Sequence, residues 1–260
     1  PEVTKRSSQT VCIEIAVDSV ASAVAAERGG AARLELCANL LEGGVTPSAG
    51  MIAATRAASI GVHVMIRPRG GDFSYDHAEI DVMARDIAMA KSLAADGVVL
   101  GLLKTNGRID LDRTRRLVDL ARPLEVTFHR AFDMSADLLE SLEDVCATGA
   151  DRLLTSGGEA NCLDGLQTIA ALVKAARGRI AIMAGGGVRP ENAARIIAAT
   201  GVCDIHAGLS TVLESPVAYR NPRVSMGKAQ GREYERHQVT EAIVRQLRES
   251  IAETDVCHPE

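Results

Sequence analysis

Aromatic residues are scarce in this chain of 260 residues: they make up 2% of the sequence, and tryptophan is absent. The core must therefore be built from Ala, Val, Ile and Leu, since hydrophobic residues still account for 47% of the chain. Small and branched aliphatic side chains suit helices packed on parallel strands. The composition favours an α/β protein, and the length permits one large domain or two small ones.

Long apolar runs and a surplus of basic residues are missing as well. No run could cross a bilayer, and the opening PEVTKRSSQT carries charge without the apolar stretch of a secretory signal. The formal net charge is −5, with 29 basic and 34 acidic residues intermixed, which argues against nucleic acid or a membrane as partner. These absences predict a cytoplasmic protein whose residues 1–10 are disordered.

The chain also lacks a CxxC pair. Its six cysteines are scattered, at positions 12, 37, 146, 162, 203 and 257. Neither a zinc knuckle nor a compact disulfide scaffold is therefore predicted. We expect reduced thiols, most of them serving as small core residues.

One pattern repeats from residue 11 onward: a short β-branched run ends in polar or glycine residues and precedes an Ala- and Leu-rich helical stretch. The strand candidates are 11–17, 32–36, 63–67, 97–101, 125–129, 152–156, 180–184 and 204–208. Asp110 and Ser135 are candidate helix N-caps. Eight βα units predict a (β/α)8 TIM-type barrel, a single domain over residues 11–255. An open doubly wound sheet remains an alternative, because periodicity does not show closure.

Segment 209–237 interrupts this pattern between the last strand and the last helix. It is long, polar and rich in turn-forming residues. Long loops in compact domains are usually functional or mobile. We therefore predict a functional or mobile loop there.

Alternate side chains of a barrel strand point into the lumen, and the others pack against the helices. This parity predicts polar inward positions near the strand ends, which are Glu14, Glu35, Arg67, His129 and His206. The other predicted inward residues are Ala16, Arg33, Cys37, Met65, Thr127, Met183 and Asp204. A single ion pair or inward histidine is readily explained as structural. Because buried charge is costly unless it is paired, the five polar positions together predict one compensated catalytic site.

Loops at the same face of the barrel supply predicted substrate-binding residues. The fragments RPRGGDF, HRAFD and LTSGGE provide Arg69, Asp72, Arg130, Asp133 and Ser156. Gly186 and Gly187 follow the seventh strand, and Gly208 follows the eighth. Backbone N–H groups in these two loops commonly bind phosphate or carboxylate in barrel enzymes, although glycine also serves turn geometry alone.

The fragments LELCANLLEGGVTPS, HVMIRPRGGDF, VTFHRAFD, LLTSGGEA, MAGGGV and VSMG closely resemble the copper homeostasis protein CutC family. The resemblance runs in order from about residue 12 to about residue 250. It implies a (β/α)8-type barrel, a cytoplasmic location, a homo-oligomer and a part in copper tolerance, with copper(I) bound by cysteine. The first strand departs from the family pattern EVCVDS, because EIAVDS places Ala16 where the family has cysteine.

The second family cysteine is kept as Cys37. Copper(I) prefers two or three soft ligands, so the paired-thiolate site cannot form with Ala16. The remaining predicted donors are Cys37 as the metal ligand, Met65 and Met183 as soft neighbours, and His129 or His206.

Three functions compete at this point. The first is copper homeostasis, with copper(I) bound through Cys37. The second is an enzyme of the lyase, isomerase or hydrolase type: Arg67, Arg69 and the glycine loops would hold a small anionic or phosphorylated metabolite. Glu14 or Glu35 would then be the general base or acid, with His129 or His206 as partner, unless these groups hold a divalent metal. The third is an interaction scaffold, which the density of charge at one face disfavours.

Overall fold

Eight parallel strands form a closed barrel in the computed structural model, which describes residues 11–226 and 231–252. The strands are β1 (Cys12–Val17), β2 (Arg33–Leu36), β3 (Gly61–Met65), β4 (Gly97–Leu100), β5 (Glu125–Phe128), β6 (Arg152–Thr155), β7 (Ala181–Gly185) and β8 (Asp204–Ala207). β1 pairs with β8, where Cys12 lies opposite Asp204. The predicted α/β fold, a single-domain (β/α)8 TIM-type barrel, is confirmed, and the open sheet is excluded. The disorder predicted for 1–10 falls outside the described residues, as do 253–255.

Helices alternate with these strands. They are α1 (Val20–Gly29), α2 (Ala49–Thr55), α3 (His77–Ser92), α4 (Leu111–Ala121), α5 (Leu138–Thr148), α6 (Leu166–Ala176), α7 (Ala193–Thr200) and α8 (Glu241–Ser250). Asp110 caps α4 as predicted, since its side chain accepts a hydrogen bond from the N–H of Arg113. Ser135 was the wrong prediction for α5, which begins later and is capped by Asp137. Within the described ranges, no helix is both long enough and apolar enough to span a membrane.

The hydrophobic core lies between the barrel and its surrounding helices. Val62, Val64 and Ile66 are fully buried there, as strand parity predicts. α1 contributes alanines to the same core, for example Ala23 and Ala26, which are also fully buried. Such small side chains let a helix approach the strands closely, so few aromatic residues are needed. The lumen receives the other half of each strand, which is polar in β1, β2 and β8 and apolar in β4 and β7.

Segment 209–237, which was predicted as a loop, contains an antiparallel ribbon, so the prediction missed two strands. The ribbon pairs β9 (Ser210–Glu214) with β10 (Glu235–Val239), and Val212 lies opposite His237. Most of its side chains are exposed, so the strands lack the buried alternation by which strands are recognised in sequence. The ribbon is anchored at its base, where the N–H of Val239 donates to Oγ of Ser22 in α1 at 3.1 Å.

Candidate functional site

A cavity of about 520 Å³ opens at the carboxyl ends of the strands. Its size is typical of small-molecule sites. Nine of the predicted catalytic and substrate-binding residues line it: Glu35, Arg67, His129, Arg130, Asp133, Gly186, Gly187, His206 and Gly208. Glu14 is fully buried next to His206, Ser156 contacts Arg130, and Cys37 is buried next to Glu35. The residues predicted from strand parity and those predicted from loop position thus lie together at one face of the barrel.

An ion-paired layer lies in the lumen at the level of Glu14, Arg33, Arg152 and Asp204. The guanidinium of Arg33 contacts Glu14 and donates to Oδ1 of Asp204 at 3.0 Å. Nε of Arg152 donates to the same Asp204 oxygen at 3.1 Å. Sδ of Met183 lies 3.3 Å from Arg33. Met183 therefore belongs to this layer, and the expectation that it neighbours Cys37 is not met.

His206 lies between two carboxylates. Its Nδ1 is 2.8 Å from Oε1 of Glu14, and its Nε2 is 3.8 Å from Oε2 of Glu35. Burial alone would lower the pKa of His206, but Glu35 and Glu14 outweigh burial and raise it. Glu14 shows the reverse balance: burial would raise its pKa, yet His206 and Arg33 hold it far below the usual range. Glu14 is therefore ionised and orients a readily protonated imidazole.

Glu35 is the carboxylate that faces the cavity. It is 4% exposed, and burial raises its pKa. Sγ of Cys37 donates a long hydrogen bond of 3.5 Å to its Oε2, while Oε1 has no hydrogen-bond partner among the described residues. A buried carboxylate with a raised pKa and a free oxygen is suited to accept or donate a proton.

His129 lies on the other side of the lumen, at the end of β5. The N–H of Ala131 donates to its Nδ1 at 3.2 Å. Its ring packs against Phe73, with a centroid separation of 5.1 Å, and over Gly101, which directly follows the neighbouring strand β4. Burial, reinforced by Arg67, lowers the pKa of His129 to about 3. His129 is thus neutral, and within the described chain its buried Nε2 has no hydrogen-bond partner.

Arg67 is held chiefly by backbone oxygens. It donates to the carbonyls of Glu42, Gly44 and Gly71 at 2.8 to 2.9 Å, and it stacks on the ring of Phe73 at 4.9 Å. Its Nε is buried and has no partner in the part of the chain that the structure describes. Since carbonyls do not neutralise a guanidinium, Arg67 brings positive charge to the cavity wall.

Arg130 is positioned by Asp133 and by the loop that follows β6. Nε of Arg130 donates to Oδ2 of Asp133 at 2.7 Å, and Nη2 donates to Oγ of Ser156 at 2.6 Å. Asp133 also accepts hydrogen bonds from the backbone N–H groups of Ser156 and Gly158. This buried carboxylate therefore fixes both the arginine and the loop. A Cβ atom on Gly186 would lie 3.2 Å from Nη1 of Arg130, so the glycine leaves room for the guanidinium.

Three of the predicted substrate-binding residues do not line the cavity: Ser156, which supports Arg130, and Arg69 and Asp72, which lie in another loop. Arg69 contacts Glu79 and Asp72 and stacks on Tyr75 at 5.1 Å. Asp72 binds Arg69 and the N–H of Ser74 on the exposed side of the same loop. The residues of the RPRGGDF motif therefore have two roles. Arg67 turns toward the lumen, whereas Arg69 and Asp72 stabilise the loop.

Sequence reasoning missed several residues of this region, among them Arg189, His63 and Arg152, as well as Glu42 and Phe73, which contact Arg67. Arg189 lines the cavity, although the AGGGVRPEN fragment was interpreted only through its glycines. His63 is buried in the lumen over Gly97, where a Cβ atom would lie 2.6 Å from the ring. Arg152 joins the ion-paired layer. Parity, applied to His63 and Arg152 as it was to their neighbours, would have found both.

Comparisons with known proteins agree with this fold. The model of the CutC family matches residues 11–211. A family protein CutC of Chromobacterium violaceum is 47% identical over 92% of this chain and 97% of its own length. The human copper homeostasis protein cutC homolog is 47% identical over 83% of this chain and 79% of its own. A solved structure described as a CutC protein of Streptococcus agalactiae superposes with a TM-score of 0.72, at 36% identity, covering 76% of this chain and 98% of that one.

Proposed function

The chain belongs to the CutC family, and we propose that its cavity is the active site of an enzyme acting on a small anionic metabolite. One observation carries the proposal. Glu35, Arg67 and His129 line one cavity, and each has a buried polar atom that no described residue satisfies: Oε1, Nε and Nε2 respectively. Leaving a polar atom buried and unpaired costs about 1–3 kcal/mol. Three such atoms around one cavity are explained if a polar ligand bound there supplies their hydrogen-bond partners.

The arginines of the cavity wall support an anionic ligand. Arg67, Arg130 and Arg189 line the cavity together with the carboxylates of Glu35, Glu42 and Asp133. Arg130 is paired with Asp133, whereas Arg67 and Arg189 have no carboxylate partner among the described residues. Guanidinium groups bind carboxylate and phosphate in a bidentate manner. A ligand of carboxylate or phosphate type therefore matches this wall better than an apolar molecule would.

The chain's own residues also provide acid–base chemistry. Glu35 would accept a proton from the ligand, since its carboxylate faces the cavity with a raised pKa. His206 would exchange protons with Glu35, either through one bridging water or after the 3.8 Å gap between Nε2 and Oε2 shortens on ligand binding, while Glu14 holds the imidazole in place. This arrangement suits an isomerase or a lyase, in which a proton is removed and later returned.

Copper(I) held by Cys37 fits the surroundings less well. Burial and the neighbouring Glu35 raise the pKa of the Cys37 thiol well above its ordinary value, which disfavours the thiolate that binds metal. Among the described residues, Cys37 clusters with Met65, Val99 and Leu40, which supply one thioether and no second thiol. Copper(I) sites usually use two or three soft ligands. We therefore propose that a copper role, as named for relatives in this family, does not depend on Cys37 in this chain.

A divalent ion at Glu14, Glu35 and His206 fits poorly as well. One ligand atom from each residue lies within 4.8 Å of the others, as a metal site requires. However, Glu14 is already bound to Arg33, and Nδ1 of His206 is bound to Glu14. A cation would have to displace the guanidinium of Arg33 from Glu14 and a proton from the imidazole of His206, so the cluster is better explained as an internally compensated acid–base group.

The proposal is tested by ligand screening with matched variants. The full chain is screened by thermal shift against carboxylated and phosphorylated metabolites, and each stabilising compound is incubated and analysed for conversion by NMR. Arg130→Ala should weaken binding at least about tenfold through loss of a charge-assisted pair. Glu35→Gln should retain binding and lose conversion. Arg245→Ala removes an exposed arginine from α8 and serves as the control.

Anion binding that is equal in Arg130→Ala and Arg245→Ala would refute the site. The proposed partner is thus a small molecule. A cytoplasmic location and self-association are carried by the family resemblance alone; fractionation and light scattering test them.

A further inference from the structure

The tautomer of His129 is fixed by its surroundings. Because the N–H of Ala131 donates to Nδ1 at 3.2 Å, Nδ1 must offer its lone pair. A neutral imidazole carries its hydrogen on the other nitrogen, which is Nε2. Arg67 and burial keep the ring neutral, since both oppose the charged form. His129 therefore offers one N–H donor from a residue that lines the cavity.

The ring is also held in orientation. A Cβ atom on Gly101 would lie 2.5 Å from Nδ1 and 2.7 Å from Cε1 of His129, so the ring occupies space that only glycine leaves free. Phe73 packs on the ring with an interplanar angle of 57°. A donor held in this way needs no reorganisation when charge develops next to it, which is the condition for effective electrostatic stabilisation.

His129 lies across the barrel from the acid–base group. In the closed order of strands, β5 is four strands from β1 in either direction, whereas β8, β1 and β2 are neighbours. Glu35 and His206 therefore approach a ligand from one side, and His129 from the opposite side. The role of acid–base partner, which the sequence allowed for His129, does not suit this placement.

We propose that Nε2–H of His129 binds a carbonyl oxygen of the ligand and stabilises the oxyanion formed when a proton leaves the adjacent carbon. The inference rests on the proposed function and deepens it. The Glu35 carboxylate takes the proton, the C–H electron pair forms a C=C bond, and the carbonyl π pair moves to oxygen. Return of the proton from Glu35 to carbon reverses these shifts, and His129 keeps its own proton throughout.

The ligand class follows from this chemistry. It is an oxo compound with a C–H bond next to the carbonyl and an anionic group for Arg130 and Arg189, such as a 2-oxo acid or a ketone phosphate. Proton exchange with solvent at that carbon is the minimal reaction. Isomerisation or cleavage requires a further step from the same enolate.

Two pairs of probes test the donor directly. Pyruvate is compared with propionate, and 2-oxoglutarate with glutarate. The members of each pair differ only at carbon 2, which is a carbonyl group in the oxo acid and a CH2 group in its partner. The full chain, labelled with ¹⁵N in histidine, should show His129 as the neutral Nε2–H tautomer across the neutral pH range. Its Nε2 resonance should shift with an oxo acid and not with the matched deoxy acid.

Variants complete the test. In D2O, wild type should replace a carbon-bound hydrogen of an oxo-acid probe with deuterium. The rate of this exchange should be about 10²- to 10³-fold lower in His129→Leu. His129→Gln, which can place an N–H donor at a similar position, should retain part of it. Melting temperatures report whether each variant folds.

An Nδ1–H tautomer, or a charged imidazole at neutral pH, would overturn the inference. So would oxo-acid binding that depends on Arg130 but leaves the Nε2 resonance unchanged and the exchange rate equal in His129→Leu; the anion site would then survive. The four acids could also fail to raise the melting temperature of wild type by more than they raise that of Arg130→Ala. In that case the proposed anion site fails together with the inference.

Discussion

Nδ1 of His206 lies 2.8 Å from Oε1 of Glu14, and this contact links the charge of the imidazole to the stability of the barrel. Because Glu35 and Glu14 raise the pKa of His206 despite its burial, the folded state holds a proton that the unfolded state releases. The resulting stabilisation is fully present below the unfolded pKa of about 6.5. It is lost as the pH rises through the raised folded pKa.

We therefore expect His206→Gln to lower the free energy of unfolding by about 1.5–3 kcal/mol at pH 6, the range for hydrogen bonds to charged groups. The difference from wild type should shrink as the pH rises toward 9. Urea denaturation at several pH values measures both quantities. A difference that grows with pH would contradict a charged His206.

Glu14→Gln should be strongly destabilising. It removes the carboxylate that Arg33 and His206 contact, and it leaves a buried guanidinium with less compensation. Removing one partner of a buried ion pair costs about 3–5 kcal/mol. Glu143→Gln is the matched control, because Glu143 pairs with Arg179 on the surface. Urea unfolding should show a large loss for the first and a small change for the second, and equal losses would contradict the ion-paired layer.

Gly101→Ala should disturb the cavity through His129. The added Cβ would lie 2.5 Å from the imidazole, so the ring must move or the strand must shift, at a cost of about 1–3 kcal/mol. Gly208→Ala is the control for stability, since nothing lies within 4 Å of a Cβ atom there. Thermal unfolding compares the two variants. The packing argument is contradicted if Gly208→Ala loses as much as Gly101→Ala.

Ala16→Cys should create copper(I) affinity. Ala16 in β1 lies opposite Glu35 in β2, and Cys37 directly follows β2, where its N–H donates to the carbonyl of Val17 at 2.9 Å. A second thiol beside Cys37 supplies the pair of soft ligands that copper(I) prefers, so affinity should rise at least about tenfold. Anaerobic titration against a competing chelator measures this in wild type, Ala16→Cys and Ala16→Cys with Cys37→Ser.

Wild type and Cys37→Ser should bind copper(I) with equally low affinity in the same titration. Tight wild-type binding that Cys37→Ser abolishes would instead support copper handling through a single thiol.

The fold and the inward residues were predictable because each depends on local patterns. Alternation along a strand predicts which side chains enter the lumen, and Glu35 and His206 follow it. The hydrogen-bond partners were not predictable, since they depend on how strands distant in sequence are aligned. Met183 was placed near Cys37 on parity alone, but the register brings its sulfur to Arg33.

Loop residues were harder to assign than strand residues. Arg67 and Arg69 stand two positions apart and were given similar roles, yet only Arg67 reaches the cavity. Loop side chains follow no fixed periodicity, so their direction depends on individual contacts such as that of Arg69 with Glu79. The ribbon of β9 and β10 was missed for a related reason, because exposed strands lack a hydrophobic pattern.

The ion-paired layer constrains how this barrel can change during evolution. Arg33 contacts Glu14 and Asp204, and Arg152 shares Asp204, so every charge in the layer is balanced by neighbours on other strands. Replacing one of these residues leaves the charges of its partners without compensation. Drift at these positions must therefore proceed by joint replacement, and related barrels should carry either the whole charged set or an apolar filling of similar volume.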